Sequence, residues 1–290
     1  MEIVNNVRMK KWILWLWGAI VVGCLLLVMS LWQLGDGMLH ISYLNIGQGD
    51  AALVRTPGRQ YVLIDGGPGD AVLGELAGVM PFFARRIDVV MLSHPHADHL
   101  DGLIEVLERY DVGVVMMTGV SYGYKGYERF LEVIEERDVE VIFVNGEVDY
   151  LLDDVVLDIV YPFESLAGRA FENVNNSSIS FRLLYGERSF YFSGDLEVEG
   201  EEALVASTLD VRSDVLKAGH HGSRTSSSEP LLDLVQPLWA VISCGVDNQF
   251  LHPHAETITH FQKRGVTIYR TDLDGRVELK SDGMKIFWGV

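Results

Sequence analysis

Three histidines and an aspartate occur within six residues of one another, and this cluster constrains the fold more than any other feature of the sequence. The segment His94–His99 follows the apolar run Ile87–Leu92 and precedes the amphipathic pattern of Leu100–Tyr110. A buried strand, a loop and a helix are therefore predicted, with the imidazoles on the loop at the edge of a sheet. Imidazole and carboxylate groups at this density are typical ligands of first-row transition metals. A loop that is rich in histidine by chance is disfavoured by the spacing and by the apolar strand before it.

The spacing also divides the cluster into two potential metal sites. His94 and His96 can face one ion, whereas Asp98 and His99 can face a second. The two cysteines, Cys24 and Cys244, offer neither a cysteine-based zinc site nor an intramolecular disulfide.

The order of the predicted elements indicates the layers of the fold. Short strands separated by turns come first, and strands then alternate with helices in two successive runs, one of which begins with a helix predicted over 69–86. This order suits two mixed sheets packed face to face with helices outside, which is an α+β class. Near the end of the chain, Asp272–Gly275 is predicted to be a hairpin turn rather than a calcium loop.

Further motifs accompany the histidine cluster in a defined order. They are Asn45–Ala51, Leu63–Gly67, Ser193–Asp195, Lys217–Ser223, Ile242–Gly245, His252–His254 and Arg270–Gly275. Together with His94–His99 they resemble the metallo-β-lactamase superfamily, and in particular the metallo-β-lactamase domain of the ComEC competence proteins. The resemblance spans about residues 39–280 and implies an αββα four-layer sandwich.

The resemblance also implies the roles of the site residues. Asp195 would bridge two metal ions, and Asp98 and Asp195 would be the catalytic carboxylates. The implied metal ligands are His94, His96, Asp98, His99, Asp195 and His221. His220 would instead contact the substrate, although the two neighbouring histidines could exchange roles. Asp65 would orient the metal-binding loop.

One departure from the wider superfamily concerns the first metal site. No histidine lies between His99 and Asp195, where many members supply one, and the stretch Asn173–Ser178 stands there instead. Water or Asn175 would complete that site, and such an oxygen-rich site accepts manganese as well as zinc. The cofactor expected is therefore two divalent ions, Zn or Mn. The substrate-binding residues implied by the resemblance are His220, His252, Asn175, Ser178 and Ser223.

The function that these features favour is metal-dependent phosphodiester hydrolysis, with a nuclease linked to DNA uptake or processing as its specific form. By resemblance, the substrate would be single-stranded DNA and the partner a DNA-uptake channel. When residues 1–33 are set aside, the remainder carries 20 basic against 40 acidic residues, which disfavours non-specific duplex binding. Three alternatives stay open: a cell-envelope or small-molecule phosphoesterase, a lactam or thioester hydrolase, and a non-catalytic accessory of DNA uptake.

The N-terminus predicts a membrane helix. No charged residue occurs from Trp12 to Trp32, and Arg8, Lys10 and Lys11 precede that run. The expected organisation is a cytoplasmic N-terminus (1–11), a transmembrane anchor (12–33) and an extracytoplasmic hydrolase domain (34–290), on a single-pass protein of the cell membrane. A cleaved signal peptide and a lipoprotein signal ending at Cys24 are the alternatives.

Overall fold

The computed structural model describes the backbone of residues 2–33, 36–146 and 148–289, and within the first range the side chains of 12–27. Contacts divide the chain into two units, Met1–Gly37 and Met38–Val290.

The first unit contains the helix α1 (Glu2–Gln33). Among the described residues, no helix combines the length and the apolar character that a membrane crossing requires. The predicted transmembrane anchor over 12–33 is therefore wrong, and so is the single-pass membrane localisation with an extracytoplasmic domain that depended on it. The side chains of Arg8, Lys10 and Lys11 lie outside the described residues.

The second unit is built on two sheets. Its strands are β1 (Leu39–Tyr43), β2 (Ala52–Arg55), β3 (Tyr61–Ile64), β4 (Arg86–Met91), β5 (Asp111–Met117), β6 (Glu140–Phe143), β7 (Tyr150–Leu152), β8 (Val155–Tyr161), β9 (Ser180–Tyr185), β10 (Arg188–Phe192), β11 (Val215–Lys217), β12 (Trp239–Ile242), β13 (Thr267–Arg270), β14 (Val277–Ser281) and β15 (Ile286–Gly289). The first sheet has the order β15-β14-β1-β2-β3-β4-β5-β6, and the second has the order β13-β12-β11-β10-β9-β8-β7.

Helices cover the outer faces of both sheets. They are α2 (Ala71–Val79), α3 (Ala97–Arg109), α4 (Lys125–Glu136), α5 (Val198–Ala206), α6 (Glu229–Val235), α7 (Ala255–Lys263) and the short α8 (Thr271–Asp274). Two 3₁₀ turns, Val174–Ser177 and Gly219–Gly222, interrupt the loops.

Alternation of side chains along the strands explains why the two sheets stack. In β1 every second residue is fully buried, and its inward side chains join those of the second sheet in one apolar layer. Phe181 and Phe192 stack within that layer with their ring centroids 4.9 Å apart, and Tyr43 stacks on Phe192 at 5.8 Å. The inner core is therefore shared by the two sheets.

The outer faces carry a separate apolar layer on each side. On the first sheet this layer includes Leu103 of α3 and Phe130 of α4, and on the second it includes Leu232 of α6 and Phe261 of α7. The order is thus helix, sheet, sheet, helix. The predicted α+β sandwich of four layers is confirmed for the second unit.

Two local predictions are wrong. The helix predicted over 69–86 ends at Val79, because Met80 precedes Pro81 and adopts an extended backbone with ψ of 145°. The hairpin turn predicted at Asp272–Gly275 is instead the short helix α8, which Gly275 ends with a positive φ of 72°.

The strand directions determine where the loops meet. Strands β3 to β6 run parallel in the first sheet, and β10 to β13 run parallel in the second. Loops that leave the carboxyl ends of parallel strands share one edge of their sheet. Asp65 follows β3 and His94 follows β4, while Asp195 follows β10 and His221 follows β11.

We predict that Phe181→Ala lowers the free energy of unfolding by about 3–5 kcal/mol, since it removes a fully buried ring from the core shared by the two sheets. Phe82→Ala is the matched control: that ring is 87 % exposed, and its loss should change stability by less than about 0.5 kcal/mol. Urea unfolding followed by circular dichroism measures both. Equal effects of the two substitutions would contradict a core centred on the inter-sheet layer.

Candidate metal centre

The loop after β4 presents the histidine cluster predicted from the sequence. β4 ends at Met91, and α3 begins at Ala97 with His96 as its N-cap residue. His94 and His99 are buried, whereas His96 is partly exposed. His94 Nε2 lies 3.0 Å from His96 Nδ1, so these two rings point toward the same space.

Asp65 anchors this loop from the neighbouring strand. Its Oδ1 accepts the backbone N–H of Ser93 at 2.7 Å, and its Oδ2 accepts the Ser93 hydroxyl at 2.7 Å. The same Oδ2 lies 2.8 Å from His99 Nδ1. A carboxylate at Nδ1 fixes the orientation of the ring, so His99 presents Nε2 to the interior of the site.

Asp195 is the carboxylate at the centre of the cluster. It follows Gly194, whose φ is +55°, and its backbone N–H donates to Ser178 Oγ at 3.0 Å. Asp195 Oδ2 lies 3.3 Å from His99 Nε2 and 3.4 Å from His221 Nε2. Asp195 thus joins a histidine of the first sheet to a histidine of the second.

The turn Gly219–Gly222, which carries His221, has an unusual backbone conformation. His220 (φ 48°, ψ 47°) and His221 (φ 53°, ψ 26°) are both left-handed, a conformation that costs a non-glycine residue about 1–3 kcal/mol. His221 Nδ1 lies 3.0 Å from Asp50 Oδ1, and Asp50 in turn accepts a hydrogen bond from the buried Lys217 ammonium. His221 Nε2 therefore faces Asp195 and also Asp98 Oδ2, at 3.2 Å.

Several buried polar atoms of this cluster have no hydrogen-bond partner among the described residues. They are His99 Nε2, His221 Nε2 and Asp195 Oδ1. Leaving such atoms unpaired in a buried site costs about 1–3 kcal/mol each, so convergent unpaired atoms indicate a ligand. Two atoms bound to one tetrahedral ion at about 2.1 Å lie about 3.4 Å apart. The separations of 3.2–3.4 Å given above fit that distance, so these residues fit a divalent metal ion.

The described residues contain a tight group of potential ligands: Asp50, His99, Asp195 and His221 offer atoms within 4.8 Å of one another. Asp50 contacts the Nδ1 side of His221, away from the atoms that face Asp195. We therefore regard Asp50 as the residue that orients His221, as Asp65 orients His99, and Asp98 as the carboxylate beside His221 Nε2.

The charges of the cluster shift the pKa values of its histidines. Burial alone would lower the pKa of His221, but Asp195 and Asp50 raise that pKa to about 10. At His99, too, burial lowers the pKa, but Asp195 and Asp65 outweigh it and hold the pKa well above its usual value. Burial, followed by the charge of His99, lowers the pKa of His94 and of His96. The carboxylates around His99 and His221 thus favour positive charge at this point of the cluster, and a divalent ion would supply it.

The remaining predicted residues surround this group. His220 Nε2 lies 3.9 Å from Asp195 Oδ2, and the ring of His252 lies 5.4 Å from the ring of His220. Asn175 is buried and contacts Glu197. The hydroxyl of Ser223 lies 3.0 Å from that of Thr225. Their predicted roles in substrate binding stay predictions.

Three residues in contact with the cluster or its neighbours escaped the sequence reasoning: Asp50, Lys217 and Glu197. Asp50 and Lys217 lie within motifs that the sequence displays, but no local pattern pairs two side chains 167 positions apart. Glu197 follows Asp195 by two residues, and its carboxylate accepts hydrogen bonds from Asn173 and Asn175. In the sequence, its position two residues after the predicted bridging carboxylate was the signal that could have identified it.

Comparison with known proteins decides the family. The family model of the metallo-β-lactamase superfamily matches residues 44–246, which is more than half of the chain. The chain belongs to the metallo-β-lactamase superfamily. It has the fold of the superfamily's metal-dependent hydrolases and a buried Asp/His cluster compatible with a divalent metal site.

Relatives of this superfamily member include competence proteins. The chain is 29% identical over 262 residues to ComE operon protein 3 of Bacillus subtilis, covering 83% of this chain and 33% of that protein. It is 32% identical over 235 residues to competence protein ComA of Neisseria gonorrhoeae, covering 81% of this chain and 31% of that protein. The chain thus spans about a third of the length of these relatives. The resemblance to the ComEC-type domain is confirmed.

A solved structure supports the fold. The metallo-β-lactamase fold protein YhfI from Bacillus subtilis superimposes with a TM-score of 0.55 at 12% identity, covering 87% of this chain and 99% of that protein.

We predict that Asp65→Asn and Asp50→Asn each lower the affinity for Zn²⁺ by about 10- to 100-fold, because each carboxylate orients one imidazole through Nδ1. Asp101→Asn is the control: Asp101 lies on the same helix as His99, and its carboxylate accepts a hydrogen bond from the Tyr124 hydroxyl. Competition with a chromogenic chelator measures the dissociation constants. Unchanged affinity in both variants would show that neither carboxylate supports the metal centre.

Proposed function

We propose that this protein is a two-metal phosphodiesterase. His94, His96 and Asp195 would hold one ion, and Asp98, His99, Asp195 and His221 the other, with Zn²⁺ or Mn²⁺ as the metal. When bound, such ions acidify water and neutralise charge on a phosphoryl group. The observation that carries the proposal is the buried group around Asp195: its Oδ2 lies 3.3 Å from His99 Nε2 and 3.4 Å from His221 Nε2, and neither nitrogen has a hydrogen-bond partner among the described residues.

Asp98 is placed to act on water at the mouth of the centre. Its side chain is 31 % exposed, whereas those of Asp50 and Asp195 are buried. The nearby imidazoles of His221 and His99 outweigh the effect of burial and lower the pKa of Asp98, so Asp98 is ionised at neutral pH. An ionised carboxylate at this edge accepts a hydrogen bond from a water molecule and orients it toward the substrate.

His252 offers a contact for a phosphoryl oxygen. Its Nδ1 is buried and has no hydrogen-bond partner among the described residues, and its loop is fixed by Asn248, which accepts the His252 N–H at 3.0 Å. Burial and the neighbouring charges of His221 and His220 lower the pKa of His252 to about 4. A neutral imidazole carries one ring N–H, and Nδ1–H can be donated to a phosphate oxygen.

The substrate we propose is a short or single-stranded nucleic acid, linked to DNA uptake or processing. Support comes from relatives that are named as competence proteins and, in Haemophilus influenzae, as recombination protein 2. The net charge of −18 disfavours long duplexes, which are held through many lysine and arginine contacts to phosphates. Binding would instead depend on the metal centre and on His252.

The decisive experiment is an activity screen of the full chain reconstituted with Zn²⁺ or Mn²⁺. We expect cleavage of bis-p-nitrophenyl phosphate and of short single-stranded DNA, and nitrocefin turnover near background. Asp195→Asn should abolish cleavage, because it removes a negative charge that both ions share. Hydrolysis of nitrocefin without phosphodiester cleavage would overturn the substrate class, and inactivity on every substrate at full metal loading would favour a non-catalytic accessory.

We predict that His252→Ala reduces kcat/KM for phosphodiesters by about 10- to 100-fold, since a hydrogen bond to a charged group contributes about 1.5–3 kcal/mol. Metal content should stay at the wild-type level. His260→Ala is the matched control, because His260 lies on α7 and pairs with Glu229. A loss of metal in His252→Ala, or an equal effect of the control, would contradict a phosphate-binding role.

A further inference from the structure

The first metal site lacks the histidine that many superfamily members supply between His99 and Asp195. Among its proposed ligands, His94 Nε2 lies 3.9 Å from Asp195 Oδ2. His220 Nε2 lies at the same distance, 3.9 Å, from the same oxygen. His220 thus approaches the shared carboxylate as closely as His94, a proposed ligand of that site.

The other ring nitrogen of His220 is held in the manner of the second-site histidines. His99 Nδ1 is held by Asp65 and His221 Nδ1 by Asp50. His220 Nδ1 lies 3.1 Å from Glu197 Oε1 and 3.2 Å from the hydroxyl of Thr225. Metal-binding histidines almost always make such a contact through the second nitrogen, because it fixes the tautomer and the ring orientation.

Glu197 connects His220 to the asparagine segment that stands where the missing histidine would be. Its Oε1 accepts a hydrogen bond from Asn175 Nδ2 at 2.9 Å, and its Oε2 accepts one from Asn173 Nδ2 at 2.8 Å. Its own backbone N–H donates to Asn176 Oδ1 at 3.1 Å. One carboxylate therefore fixes this segment and His220 together.

Asn175 leaves an acceptor without a partner. Because its Nδ2 must donate to Glu197, the remaining side-chain atom is Oδ1, which is buried and makes no hydrogen bond among the described residues. An amide oxygen is a ligand that Mn²⁺ accepts readily. Glu197 thus contacts Asn175 through Nδ2 and His220 through Nδ1, and not through Asn175 Oδ1 or His220 Nε2.

We propose that His220 is a ligand of the first metal site, with Asn175 Oδ1 as a further donor and Glu197 as the positioning residue for both. His220 and Asn175 replace the histidine that the sequence lacks. This assignment rests on the proposed two-metal centre and moves His220 from substrate binding to metal binding.

The backbone of the turn supports separate roles for the adjacent histidines. Successive left-handed residues turn the rings of His220 and His221 to an interplanar angle of 69°, with their centroids 6.0 Å apart. Both Nε2 atoms nevertheless approach Asp195 Oδ2, at 3.9 Å and 3.4 Å. Their rings therefore reach one carboxylate along different directions, an arrangement that allows the two histidines separate roles.

Metal stoichiometry tests the assignment. His220→Ala, His221→Ala and the double variant are dialysed against the same low concentration of Mn²⁺ or Zn²⁺, and bound metal is measured by elemental analysis. We expect two ions per chain for the wild type, one for each single variant and none for the double variant. Circular dichroism checks that each variant is folded.

The alternatives give different counts. If both histidines bind one ion, the double variant keeps one. If His220 contacts substrate, His220→Ala keeps two, and either result overturns the assignment. A wild type that binds a single ion would instead contradict the two-metal centre of the proposed function.

The role of Glu197 has its own test, in which the isosteric Glu197→Gln keeps the shape of the side chain. The dissociation constant of the more weakly held ion should rise about 10- to 100-fold. Glu199→Gln is the matched control, because Glu199 contacts Asn176 but no histidine in the described contacts. An unchanged metal affinity in Glu197→Gln would overturn its positioning role.

Discussion

The buried carboxylate of Asp195 is the constraint on which the site depends. It lies 1 % exposed between two sheets, and a carboxylate so removed from water requires compensating charge. His99 reaches it from the first sheet, and His221 and His220 reach it from the second. Because the separations are those of ligands around an ion, the cluster that compensates Asp195 in the protein alone also fits a divalent metal.

Close backbone contacts hold the loops that carry the site residues against one another. The backbone N–H of Asp50 donates to Asp98 O, and that of Gly66 donates to His99 O. At Gly49 a Cβ atom would lie 2.2 Å from Asp98 O, and φ is +133°, so this approach requires glycine. The carboxylates that contact Nδ1 of His221 and of His99 thus come from segments that are hydrogen-bonded to the histidine loop itself. The same contacts therefore fix both the orientation of the rings and the packing of the loops.

How much the sequence could predict follows from the range over which each interaction acts. The cluster His94–His99 is local, and the alternation of apolar residues reports directly on strands, so the four layers were predictable. The contact of Asp50 with Lys217 spans 167 positions and has no local pattern. The apolar run at the N-terminus predicted a membrane crossing, whereas no helix of the described residues has the length and apolar character that a crossing requires. The left-handed backbone of His220 and His221 also escaped prediction, because that conformation is uncommon for any non-glycine residue and nothing local in the sequence marks where it occurs.

The strain in the turn Gly219–Gly222 has a physical explanation in the proposed two-metal centre. Two adjacent residues of an ordinary strand would point to opposite faces, and those of a helix would diverge by about 100° around its axis. Neither arrangement brings two neighbouring imidazoles to one carboxylate. Successive left-handed residues do, and the following Gly222, with φ of +81°, lets the chain pass Pro253 where a Cβ atom would lie 2.6 Å away. In the proposed centre, the strain at His220 would be the cost of using adjacent residues as ligands of neighbouring ions.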